Sequence, residues 1–119
     1  MTKKAIQLII IPLMFLSCSD RMKFDIKKWN DESDRGYFHY RNAMLDDLLE
    51  NYHLKGKTIK ELQSIFGYVD YDSTINQQNI SFEVYQEWKG IDPSYTKYLV
   101  LRLSKNKTVD SVYFNEFKR

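Results

Sequence analysis

The sequence predicts an α+β domain in which two helices pack on one face of a three-stranded antiparallel meander (ααβββ). Three observations carry this. Apolar residues recur at spacings of three and four between Gly36 and Tyr52. Thr58 and Glu61 stand at capping-box spacing at the head of a second apolar stripe. From Ile80 to Phe117, runs of alternating apolar and polar residues are separated by short turn-forming segments.

The first helix is expected from about Gly36 to Tyr52. Tyr37, Tyr40, Met44, Leu45, Leu48, Leu49 and Tyr52 form its apolar stripe, and Arg41, Asp46, Asp47 and Glu50 its polar side. Leu54-Lys55-Gly56-Lys57 breaks it, with Gly56 suited to a left-handed turn. In the second helix Ile59, Leu62, Ile65 and Phe66 face inward, and Gly67 ends it. Residues 68–79 read as a polar loop.

In the first strand Ile80, Phe82 and Val84 alternate with Ser81 and Glu83 and continue to Trp88. Gly90-Ile91-Asp92-Pro93-Ser94 is the expected turn. Leu99, Leu101 and Leu103 alternate in the second strand, residues 104–107 turn the chain, and residues 109–117 form the third. Connections this short make neighbouring strands antiparallel. The helices then cover one face of the sheet.

Upstream of this domain the chain begins with Lys3-Lys4, followed by an apolar run from Ala5 to Leu16 and then Ser17-Cys18. A basic end, a short apolar core and a small residue are the parts of a secretory signal. A transmembrane helix needs about 20 apolar residues, and this run is shorter. A lone cysteine in an exported chain has no intramolecular disulfide partner. Its position just after Ser17 resembles the lipobox of bacterial lipoproteins, although Phe15 and Leu16 depart from the usual residues there. That resemblance implies a signal peptide over 1–17, lipidation at Cys18 and a membrane anchor. Two or more acyl chains make such an anchor stable. Residues 18–34 are then the lipidated cysteine and a tether, on which Trp29 is expected to dock against the fold because an isolated exposed Trp is uncommon. Residues 35–119 are the single domain.

Removal of residues 1–17 leaves 102 residues, with Lys+Arg falling from 18 to 16 against 16 acids, so the mature net charge is zero. A balanced chain has no general attraction for nucleic acid, and none is expected as a partner. Aromatic residues make up 15%, enough to build a compact core without metals or disulfides.

Leu54-x-Gly56-x-Thr58-x-x-Glu61-Leu62-x-x-x-Phe66-Gly67 resembles the signature of SmpA/OmlA-type outer-membrane assembly lipoproteins, whose layout is shared by β-lactamase-inhibitor-like modules. Phe24-Asp25, Trp29, Arg41, Met44, Asp47-Leu48-Leu49 and Gly90-Ile91-Asp92-Pro93-Ser94-Tyr95 likewise resemble small uncharacterised lipoproteins of that layout. The family's proline after the helix-ending glycine is replaced here by Tyr68-Val69. The resemblance implies the ααβββ fold, a place in the cell envelope at the outer membrane and a non-enzymatic role. It brings no catalytic residue and no cofactor.

Other patterns give little chemistry. Asp70-Tyr71-Asp72-Ser73-Thr74 spells a phosphatase-like string, but too few residues follow for the doubly wound sheet that string requires. It also lacks the glycine and distal glutamate of a calcium loop. His39 and His53 have no companion ligand at zinc-site spacing, so no metal is expected. His39 reads as part of the helix packing. The exposed-aromatic candidates for contact with an envelope protein are Tyr85, Tyr98 and Trp88, with Tyr85 and Tyr98 placed together on the outer face of the sheet. An inhibitor or ligand-sequestering module is the alternative reading.

Overall fold

The structure is a computed structural model and describes residues 21–119. The signal segment and Cys18 lie outside the described residues. Three helices, α1 (Ile26–Trp29), α2 (Arg41–Asn51) and α3 (Ile59–Phe66), precede three strands, β1 (Asn79–Lys89), β2 (Asp92–Leu103) and β3 (Val109–Lys118). The sheet is antiparallel in the order β1-β2-β3. The α+β class and the meander agree with the sequence; the short α1 is an addition to it.

That helix moves the edge of the folded body toward the N-terminus. The Asp25 side chain accepts from the backbone N–H groups of Lys27 and Lys28, at 2.9 and 3.2 Å, and so nucleates a turn that sequence periodicity is too short to reveal. The turn delivers Trp29 into the centre of the core, where it is fully buried. Its ring lies 5.2 Å from that of Phe66, 5.5 Å from Phe82 and 5.6 Å from Phe24. Asn30 donates to the Phe66 carbonyl at 2.8 Å, and the Phe24 N–H donates to Asp47 at 2.7 Å. The stretch from Met22 to Asn30 is therefore part of the domain, where a tether reaching residue 34 was expected.

Helix α2 begins five residues later than expected. Gly36 at φ +82° turns the chain, Glu32 pairs with Phe38, and Ser33 donates to the Tyr37 carbonyl at 2.8 Å, which together close a small hairpin before the helix. Of the expected stripe, Met44, Leu45 and Leu48 are buried and Tyr52 packs against them, while Tyr40 and Leu49 are exposed. His39 falls in the hairpin, exposed, with its ring 4.8 Å from that of Tyr37. It takes no part in core packing.

Helix α3 starts as the sequence requires. Thr58 accepts from the Glu61 N–H at 3.2 Å and Glu61 accepts from the Thr58 N–H at 3.1 Å. Gly67 ends the helix at φ +78°, and a β-carbon there would lie 3.2 Å from Ile26. The loop behind it is clamped by Gln77, whose amide donates to the carbonyls of Asp70 and Asn79, both at 2.9 Å. Asp72, the centre of the phosphatase-like string, accepts from the N–H and hydroxyl of Thr74, a local turn.

The first hairpin is tighter than expected. Lys89 pairs with Asp92, leaving Gly90 and Ile91 as the loop, with Gly90 at φ +63°. Positive φ at the first loop residue suits a two-residue hairpin. Asp92 and Pro93 belong to β2, and the proline is tolerated because it stands at the strand's start. Ile80, Phe82 and Val84 of β1 and Leu99, Leu101 and Leu103 of β2 face the helices and complete the core.

A candidate interaction surface on the far half of the sheet

The helices are short and the strands long, so the sheet outruns its cover. Burial in β1 is strict at Ile80, Phe82 and Val84 and then gives way to exposed Tyr85, Glu87 and Lys89. In β3 only Val109 is buried. The far half of the sheet therefore has solvent on both faces.

Arg41 fixes where cover ends. It was expected on the polar side of α2 but is only 6% exposed. Its Nε donates to the Trp29 carbonyl at 2.8 Å and its Nη1 to the Glu83 carbonyl at 3.0 Å. The guanidinium carbon sits 3.3 Å from the Phe38 ring centroid and 4.8 Å from that of Trp29. One side chain thus ties α1, α2 and the edge of β1 together. Burial lowers its pKa to about 10, against the opposing attraction of Glu83 and Glu32. It stays charged at neutral pH. Burial also pushes the Glu83 carboxyl up, with Arg41 opposing and Glu32 reinforcing the shift, and one Glu83 oxygen is buried without a hydrogen-bond partner.

Just past Arg41's anchor the strand register slips. Glu83 pairs with Tyr98, but Tyr85 pairs with Lys97, leaving Val84 as a bulge. A bulge puts two residues against one, so every later side chain on β1 changes face relative to simple alternation. Tyr85 consequently lies on the helix-side face, its ring 5.9 Å from that of Tyr95. Tyr98 lies on the opposite face, 5.7 Å from Phe117. The expected pairing of Tyr85 and Tyr98 on one outer face is thus corrected. Tyr85 is exposed and Tyr98 half-buried; Trp88 is also half-buried, pairs with Pro93 and has a buried ring nitrogen without a partner.

Two aromatic surfaces result. On the helix-side face, beyond the helices, Tyr85 donates to Glu87 at 3.1 Å, and Lys97 lies 4.3 Å over the Phe114 ring. Hydrogen bonding to Glu87 raises the Tyr85 pKa, and hydrogen bonding to Glu116 raises that of Tyr95, so both phenols stay protonated at neutral pH. On the opposite face Val100 is almost fully buried although no helix covers it, because it stands between Ser81 and Tyr113 in the middle strand. Sequence reading identified the tyrosines but missed Phe114 and Phe117, which are 41% and 57% exposed. Their signal was present: β3 keeps aromatic residues on both sides of its alternation, which a strand with one buried face does not require.

Among the described residues no group of three or more His, Cys, Asp or Glu side chains could hold a metal, and no helix is long and apolar enough to cross a membrane. No protein-family model, curated protein or solved structure matches the chain.

Proposed function

We propose that this chain is a lipid-anchored, non-enzymatic interaction module of the bacterial cell envelope, held at the outer membrane through Cys18. The observation that carries the reading is the sequence order of basic residues, short apolar core, Ser17 and Cys18. The far half of the sheet supports it, since exposed aromatic side chains with few rotatable bonds and polar tips are effective contact residues. The proposed partner is another envelope protein that engages the Tyr85 face.

The test combines two variants in the native envelope. Cys18→Ala should abolish incorporation of labelled palmitate and leave unprocessed precursor; a variant labelled and processed as before would end the lipoprotein reading. A photo-crosslinking residue at position 85 should capture a discrete membrane protein, while one at position 98 should capture it weakly. Equal capture at both positions would remove the face assignment, and no adduct at either would remove the partner.

A further inference from the structure

The sheet has two edges, and they are not alike. Along β1, Arg41 occupies the outward carbonyl of Glu83, α2 packs beside the strand, and the bulge at Val84 breaks the outward-facing run, leaving only the short piece at Gln86 and Trp88 open. Along β3, closure stops early. The Gly56 N–H donates to the Val109 carbonyl at 2.7 Å and the Val109 N–H donates to Lys57 at 3.0 Å, so the loop before α3 covers the edge there. A bulge follows at Asp110, where Arg102 pairs with Ser111 but Leu103 pairs with Val109. After that bulge the backbone alternation reverses. The Arg119 N–H donates inward to Ser94 at 2.9 Å, which fixes the odd-numbered residues as the ones facing β2. Val112, Phe114, Glu116 and Lys118 then direct their backbone N–H and C=O groups outward, and among the described residues nothing accepts or donates there.

An open edge is a template for another strand. We infer that its occupant is the β3 edge of a second copy, paired antiparallel about Asn115 to make a continuous six-stranded sheet. Two features select a copy over an unrelated strand. First, the outward-facing residues of β3 run from Val112 to Lys118 with Asn115 at their midpoint, so self-pairing about that residue uses all four of them, through about eight hydrogen bonds. Second, that register is self-complementary. Tyr113, 42% exposed, stands opposite Phe117, 57% exposed, twice across the axis, an aromatic cross-strand pair. Val112 stands opposite Lys118, Phe114 opposite Glu116 and Ser111 opposite Arg119, so no like charges face directly. A hollow bounded by Leu49, His53, Lys55 and Val112 beside the N-terminal part of the edge leaves room for the incoming C-terminal residues.

The test uses the full chain in its native membrane. Asn115 opposes itself in a non-hydrogen-bonded pair, where Cα atoms approach to about 4.5 Å, a span a disulfide can bridge. Asn115→Cys under mild oxidation should give a self-crosslinked dimer, at least about tenfold above Ser81→Cys, an exposed position on β1 far from the axis. Adding Glu116→Pro should abolish it, because proline deletes an outward N–H on an edge strand without breaking the bonds to β2. Tyr113→Lys with Phe117→Lys should weaken it independently, by facing like charges across the axis. Equal crosslinking at positions 81 and 115, or undiminished crosslinking with Glu116→Pro, would overturn the proposal. So would a position-115 adduct with a different protein, which would assign the edge to a foreign strand.

Discussion

Replacing Trp29 by alanine tests whether the N-terminal stretch is core or tether. The ring is fully buried among Phe24, Phe66 and Phe82, with the Arg41 guanidinium over it. A buried tryptophan removes about 150–250 Å² from water, which at 25 cal/mol per Å² is worth about 4–6 kcal/mol. Against this, its ring nitrogen is buried without a hydrogen-bond partner, a cost of about 1–3 kcal/mol. Measured truncations of this kind cost about 3–5 kcal/mol, which agrees with the net. For a domain of this size each kcal/mol moves the melting temperature by about 4–8 °C, so Trp29→Ala should lower it by at least about 12 °C. Such a loss is a large fraction of the stability of a small domain. Thermal unfolding of a soluble form beginning at Ser19, followed by circular dichroism, measures it. Trp29→Phe keeps a ring and removes the orphaned donor, and should recover most of the loss. A melting temperature within about 3 °C of the parent for Trp29→Ala would refute the reasoning and return residues 22–30 to the role of a surface tether.

Other outcomes follow from the same geometry. Thr58→Ala removes one half of the capping box and should cost about 0.5–2 kcal/mol in urea unfolding; an unchanged midpoint would deny the cap. The Glu83 carboxyl is raised by burial, so the folded state binds its proton more tightly than the unfolded state does. Its contribution is fully present below the ordinary carboxylate pKa and fades as pH rises through the raised value. Glu83→Gln should therefore gain stability relative to the parent as pH rises above the ordinary carboxylate value, and a pH-independent difference would contradict the burial. Asp47 has the opposite sign. Its carboxylate is held low by the Phe24 N–H and then by Asn51, so its contribution is present above the ordinary value and lost as pH falls through the depressed one. Asp47→Asn should flatten the acid limb of the stability curve, and an unaltered limb would show that Asp47 does not hold Phe24.

The fold was legible where the sequence carries a local, repeated signal. Thr58 and Glu61 state the start of α3, and Gly67 states its end, because caps and left-handed turns depend on a few neighbours whose chemistry is visible. The strands were legible for the same reason, their alternation being a period of two sustained over several residues. Helix α1 was not legible. Four residues hold no period, and what fixes it is the Asp25 cap together with a tryptophan seated in a pocket built by α2, α3 and β1. Arg41 was misplaced by a related difficulty. A charged residue on a helix is assigned to solvent unless its partners are known, and its partners are two backbone carbonyls 12 and 42 residues away.

The candidate surface shows a different limit. Strand alternation locates a side chain only while the register is unbroken, and neither Val84 nor Asp110 differs in type from residues that keep register. Nothing within β1 announces the bulge, since the slip lies in how β1 and β2 share their pairing past Glu83. The consequence is functional as well as geometric. With regular alternation Tyr85 and Tyr98 would form one patch; with the bulge they address opposite sides of the sheet. A double replacement of both tyrosines would therefore merge two surfaces into one measurement. Only separate replacement can assign a partner to the helix-side face, to the opposite face or, through β3, to the edge between them.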